Sequence, residues 1–155
     1  MIINFKYVKK ERECHLKTYK KFDNINIQND RFEIPMGHIL SLHTNLAEVI
    51  NVWIDNGIGS PLVLEEITFL LCKIGELAVL LDIDLIREIE EIQIYPIEVT
   101  VNKLFYRITT LESKKKSINR GTIINYIIPM FVELVYSLGF SLEELEEYYK
   151  SVMEV

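Results

Sequence analysis

The stretch Leu62–Leu85, "LVLEEITFLLCKIGELAVLLDIDL", decides how this chain folds. Its apolar residues Leu64, Ile67, Leu70, Leu71, Ile74, Leu77, Ala78 and Leu81 recur at three- and four-residue steps, the period of an α-helix. They cover a wide face, as a helix in the middle of a bundle requires. Ser60-Pro61 upstream and Asp82-Ile83-Asp84 downstream bound the pattern, so the spacing predicts a helix over about 62–81. Two readings of the paired acids at its head, Glu65 and Glu66, compete. Acids in a first turn favour the helix dipole with no further role, and a pair of acids is also what half of a metal site looks like.

Working outward, Ile39, Leu42, Leu46, Val49, Ile50 and Trp53 predict an upstream helix over about 38–55. "DNGIGSP" ends it, because Gly57 and Gly59 permit left-handed turns and Ser60-Pro61 restarts the chain. Downstream, Asp82 or Asp84 is expected to cap a short acidic helix, "LIREIEEIQI", closed by Tyr95-Pro96. Further helices are expected over about 97–112 and 121–138, the last kinked at Pro129, with "ESKKKSINRG" as a polar connection. A short amphipathic helix follows, Ser141 capping it and Glu144 completing a capping box. The first 36 residues read as a loose arm or peripheral segment: "INFKYV" alternates like a short strand, "ECHLKTYKKF" suits one or two helical turns, and Asp23–Pro35 reads as loop. Residues 37–155 then form one domain, with halves of about 37–94 and 95–155 that resemble a repeat. Asn45 and Asn102, Glu76 and Glu133, and Leu81 and Leu138 share an offset of 57 positions.

Composition narrows the function. Of 155 residues, 49% are hydrophobic, enough apolar surface to offset the entropy of ordering the chain. The formal net charge of −6 argues against broad binding to nucleic-acid phosphates. "MIINFKYVKKER" lacks the apolar stretch and cleavage site of a secretory signal, and Asn125, Pro129 and Glu133 interrupt the only membrane-like run, Ile123–Phe140. A cytoplasmic protein without a membrane partner is therefore expected. Cys14 and Cys72 have neither metal-site spacing nor the density of a disulfide scaffold and are expected as reduced thiols. No P-loop, dinucleotide fingerprint, zinc spacing or serine nucleophile motif occurs.

Residues three apart on a helix share a face, so Asn45 with Glu48 on one helix, and Glu66 with Phe69 on the next, each point one way. Two antiparallel helices bring Glu48 and Glu66 together, which is how bundles hold hard divalent cations. On these residues the chain resembles the all-α nucleoside triphosphate pyrophosphohydrolases, which include MazG-like proteins and the dimeric dUTPases. Their signature is E-x-x-E on one helix and E-x-x-D on the next, the second helix running to a turn like "LGIDL". "LHTNLAEVINVW" is similar to the first motif helix and "EEITFLLCKIGELAVLLDIDL" to the second. "FVELVYSLGFSLEELEEYYKSV" resembles the closing helices of the dUTPase branch. The resemblance spans roughly residues 38–153. It implies an all-α bundle of four to six helices, a homodimer, a nucleoside triphosphate ligand and magnesium held by Asn45, Glu48 and Glu66. It also marks two departures, since Asn45 stands for the first acid and Phe69 for the last. Asn45 still offers a carbonyl oxygen; Phe69 offers none.

The expected function is thus a pyrophosphohydrolase homologue of weakened or altered magnesium-dependent activity, with a noncatalytic scaffold for nucleotide sensing or protein binding as the alternative. Glu65 and Glu76 are partial substitutes for the missing acids, although Glu65 lies about 100° around the helix from Glu66 and is expected to face solvent. Glu48, Asn45 and Glu133, the last mid-helix in "MFVELVY", also read as residues that pair helices within a bundle. His43 is a ligand, a base or a hydrogen-bonded structural residue, and His38 a helix-start cap. Lys114 to Lys116 with Arg120 meet phosphate or form a solvated connection.

Overall fold

The computed structural model describes residues 1–19 and 30–154. A short strand β1 (Ile2–Asn4) leads into α1 (Lys6–Tyr19), followed by α2 (Met36–Asn56) and α3 (Pro61–Leu80). Then come β2 (Ile86–Glu88), α4 (Ile97–Thr109) with a 3₁₀ turn (Thr110–Glu112), and α5 (Lys116–Thr122). A π-helical turn (Ile123–Ile127) joins α5 to α6 (Ile128–Ser137), and α7 (Leu142–Met153) ends the order. The chain is an all-α bundle carrying one two-stranded antiparallel ribbon among the described residues.

The central place of the helix beginning at Pro61 is as its wide apolar face required. It buries residues around most of its circumference, Val63, Ile67, Leu71, Ile74 and Leu77 among them, and packs against α1, α2 and α7. Ser60 caps it by accepting a hydrogen bond from the Leu62 N–H, with Pro61 in the first turn where a missing N–H costs nothing. The α2–α3 turn passes through Gly57 and Gly59, both at φ 80°, and Gly59 N–H donates to the Leu138 carbonyl, docking this turn on the α6–α7 corner.

The described part of the first 36 residues, β1 and α1, packs into the core rather than lying apart as an arm. Ile3, Phe5 and Val8 are buried in the same core as α3 and α6, and Leu16 is buried as well. The helix α1 comes so close to α3 that a Cβ on Gly75 would lie 2.4 Å from the Val8 Cγ1. Most of the expected Asp23–Pro35 loop falls outside the described residues.

The short acidic helix expected after α3 does not form. From Ile83 to Glu90 burial alternates, Ile83, Leu85 and Ile89 inward and Asp84, Ile86, Glu88 and Glu90 outward, which is strand period. The N-terminus supplies the partner: Ile2, Ile3 and Asn4 pair with Glu88, Arg87 and Ile86. Met1 and Ile89 exchange hydrogen bonds, and Phe5 N–H donates to the Leu85 carbonyl. Neither aspartate caps a helix. Asp82 sits in the left-handed region at φ 51°, stopping α3, and the Asp84 carboxylate accepts from the Ile86 N–H.

In the second half the helix over 97–112 ends its α-helical part at Thr109, and the next begins at Lys116, so most of the expected polar connection is helical. Near Pro129 the ladder widens into the π turn just ahead of it. A proline ring collides with the carbonyl four residues back, and a π turn shifts that carbonyl aside. Ser141 and Glu144 form the expected capping box of α7. The two halves share a pair of long helices but close differently, the first on β2 and the second on α7. Among the described residues no single helix is long and apolar enough to cross a membrane. The bent pair Lys116–Ser137 and Leu142–Met153 has the apolar content, but commits Phe131, Val132, Leu134, Leu145 and Tyr149 to the core.

Candidate functional site

The helices α2 and α3 are antiparallel, and two observations set their register. Near one end His38 of α2 reaches α3, its Nδ1 3.7 Å from the Glu76 carboxylate and its Nε2 3.3 Å from the Lys73 carbonyl. Ten residues further along α2 and ten back along α3, Glu48 acts on Glu66: burial first, then the charges of Glu48 and Glu65, hold the Glu66 carboxyl above the ordinary carboxylate range. In that register Asn45 and Phe69 lie level. The four positions singled out in the sequence therefore come together as two facing pairs, Glu48 with Glu66 and Asn45 with Phe69.

The donor set is thin. Phe69 is 37% exposed and apolar where the resemblance places the last acid. Glu48 is exposed and Glu66 half-buried. Glu65 is half-buried rather than fully in solvent, and its charge, after burial, helps raise the Tyr148 phenol pKa. Glu76 is committed elsewhere, and among the described residues no three His, Cys, Asp or Glu side chains converge closely enough to hold a metal ion. Two like charges, an amide and a phenyl ring do not fit the two-metal centre of the pyrophosphohydrolases.

The other sequence candidates have structural partners. The His43 ring stacks on Phe105, centroids 5.5 Å apart, and lies 3.4 Å from Thr109 Oγ1, so it is engaged with α4. His38 does not cap α2, whose N-cap is Pro35; it crosses to α3. The Lys114–Lys116 run is tied back to the segment before α2. Phe32 N–H donates to the Lys114 carbonyl and Lys116 N–H to the Asp30 carbonyl. The Asp30 carboxylate accepts from the Ser117 hydroxyl and N–H, which hold its pKa below the usual value. Arg120 donates to the Leu81 and Asp82 carbonyls, closing the C-terminus of α3. Cys72 is buried and Cys14 exposed. Burial pushes the Cys72 thiol pKa up to about 11, leaving it inert at neutral pH.

Two features escaped the sequence reading. One is a buried ionic node joining α1, α3 and α7. The Arg12 guanidinium donates to Glu11 at 2.6 and 2.7 Å and to Glu76 at 3.2 Å, and the Tyr149 hydroxyl donates to Glu11 at 2.7 Å. Lys73 stands 3.4 Å from the other Glu76 oxygen. Burial opposes the Arg12 charge, but the Glu11 hydrogen bond and the surrounding negative groups more than offset it and hold the guanidinium pKa above its ordinary value. Glu76 is thus a structural acid rather than a spare ligand.

The other is a cleft of about 650 Å³ between the extended segment after β2 and the π turn. Glu88, Glu90 and Glu91 stand on one wall, and Tyr126, Pro129 and Glu133 on the other. Its one signal in the sequence was Pro129, just ahead of which the π turn forms. No family model, curated protein or solved structure matches this chain.

Proposed function

We propose that this chain is a noncatalytic helical binding protein built on a MazG-like helix pair. The observation that carries the reading is the exposed Phe69, level with Asn45 and one turn from the facing Glu48 and Glu66. A phenyl ring there supplies no charge to a cation and leaves a carboxylate pair whose mutual repulsion is relieved by a proton rather than by magnesium. With no second metal-binding edge, nothing in this pair activates a water for attack on a triphosphate. The scaffold keeps the layout and loses the chemistry.

A second reading, a pyrophosphohydrolase of weakened magnesium-dependent activity, draws on the Glu48–Glu66 pair itself, which does face across the two helices. One assay separates them. Pyrophosphate release from a panel of nucleoside triphosphates with Mg²⁺ or Mn²⁺ is compared between wild type and Glu48→Gln/Glu66→Gln. The noncatalytic reading expects equal background release from both folded proteins. Release by wild type that the double substitution abolishes would overturn it and establish the enzyme.

A further inference from the structure

The geometry points to a second copy of this chain as the partner of the face formed by α4 and the cleft, the copies meeting about a two-fold axis with the acids of each on Lys103 and Arg107 of the other. This goes beyond the reading of the α2–α3 pair, whose residues lie on other elements.

Arg107 carries the assignment. The residue is half-buried, and its guanidinium Cζ lies 3.4 Å from the Tyr126 ring centroid and 5.3 Å from that of Tyr106. At 3.4 Å only a guanidinium lying flat on the ring fits, so its N–H edge points past the ring. Among the described residues that edge donates no hydrogen bond and forms no ion pair. Five donors, partly desolvated and unanswered within the chain, call for an acceptor from outside it. The π turn fixes the arrangement, because Tyr126 belongs to it, and π turns are frequent at functional sites.

The surrounding charges select the partner. One helical turn before Arg107, Lys103 Nζ lies 4.5 Å from the Tyr95 ring centroid. Tyr95 and Tyr126 line the cleft together with Glu88, Glu90 and Glu91. Across this surface the order is therefore acids, tyrosines, cations. Rotating a second copy by 180° about an axis along the tyrosines sets its acids on Lys103 and Arg107 and its cations on the first copy's acids, the self-complementarity that a two-fold interface requires. A partner of one charge sign would satisfy one row and meet like charge along the other.

The same face carries apolar surface to bury. Ile94 is 71% exposed and Tyr106 62%, and Val99, Tyr95 and Tyr126 are exposed as well. Val99, Lys103 and Tyr106 follow one another at helical spacing along one side of α4. Tyrosine and arginine anchor interfaces where they fill pockets, and the cleft, about 650 Å³, has room for the partner's tyrosine side chain.

Sedimentation equilibrium of the full chain at about 100 μM tests the assembly. Expected is a dimer for wild type. Lys103→Glu/Arg107→Glu and Glu90→Lys/Glu91→Lys should each be monomeric, since like charges then face each other across the axis. An equimolar mixture of the two should restore a dimer, because each row again meets its opposite. Lys103→Glu alone, at an exposed position, takes the place of the first variant if circular dichroism shows that one unfolded. Tyr106→Ala should weaken the dimer about tenfold or more. Lys6→Glu/Lys10→Glu makes the same change in net charge on α1 and should leave the dimer intact. A wild-type monomer, a dimer in either charge-reversed variant, monomers that do not combine on mixing, unchanged association of Tyr106→Ala, or equal loss in the α1 variant would each overturn the proposal. None of these outcomes bears on pyrophosphate release, so the two readings fail separately.

Discussion

Replacing Arg12 with methionine removes a cation shared by the buried Glu76 and the half-buried Glu11 carboxylates. In the wild type the guanidinium, 7% exposed, is hydrogen-bonded to Glu11 twice and to Glu76 once, and its loss leaves Glu76, 3% exposed, facing only Lys73 and His38. Glu11 keeps the Tyr149 hydroxyl alone. Breaking a buried ion pair by deleting one partner costs about 3–5 kcal/mol, because the charge left behind is neither hydrated nor paired. For a chain of 155 residues each kcal/mol moves Tm by about 2–4 °C, so Arg12→Met should melt about 6–20 °C below wild type. Urea unfolding followed by circular dichroism gives the free energy directly. The companion is Arg12→Met/Glu76→Leu, which also removes the more deeply buried of the two carboxylates left behind. Since an apolar pair replaces a buried ion pair at little cost, the double variant should lose about 2 kcal/mol less than the sum of the two single losses. An Arg12→Met cost below about 1 kcal/mol, or single losses that add within about 0.5 kcal/mol, would refute the node as a coupled structural unit.

Two further outcomes follow from the packing and charge of α3. Gly75→Val should destabilise by about 2 kcal/mol or more, because the new side chain meets the fully buried Val8 where even a Cβ would be 2.4 Å from it; wild-type stability in urea would show that α1 does not pack there. Glu66 binds its proton more tightly folded than unfolded, so wild-type stability falls as pH rises from the ordinary carboxylate value through the raised folded one. Glu66→Gln should remove that fall, raising Tm relative to wild type at about pH 7 and not at about pH 3, and a parallel pH profile for the two proteins would count against the facing carboxylates.

The sequence by itself determined what short-range physics controls. The three- and four-residue recurrence of apolar side chains marked α2 and α3, the glycines and Ser60-Pro61 placed the turn between them, and Ser141 with Glu144 announced α7. The facing of Glu48 and Glu66 was legible too, because helical spacing and an antiparallel hairpin suffice to align two positions. Other features needed partners distant in the chain. "LIREIEEIQI" suits a helix or a strand when read alone, and it became a strand because Met1–Phe5, some 85 residues earlier, offered backbone hydrogen bonds to its edge. The N-terminal segment entered the core through Val8 against Gly75, a contact to which no local pattern points. Arg12 and Glu76 are 64 positions apart, and neither carries a mark of its partner. The cleft needed the ribbon, Pro129 and the π turn at once. Periodicity and capping act over one or two turns of chain, whereas the partner that satisfies a backbone edge or a buried charge is chosen only when the whole core closes, and that choice belongs to the tertiary structure.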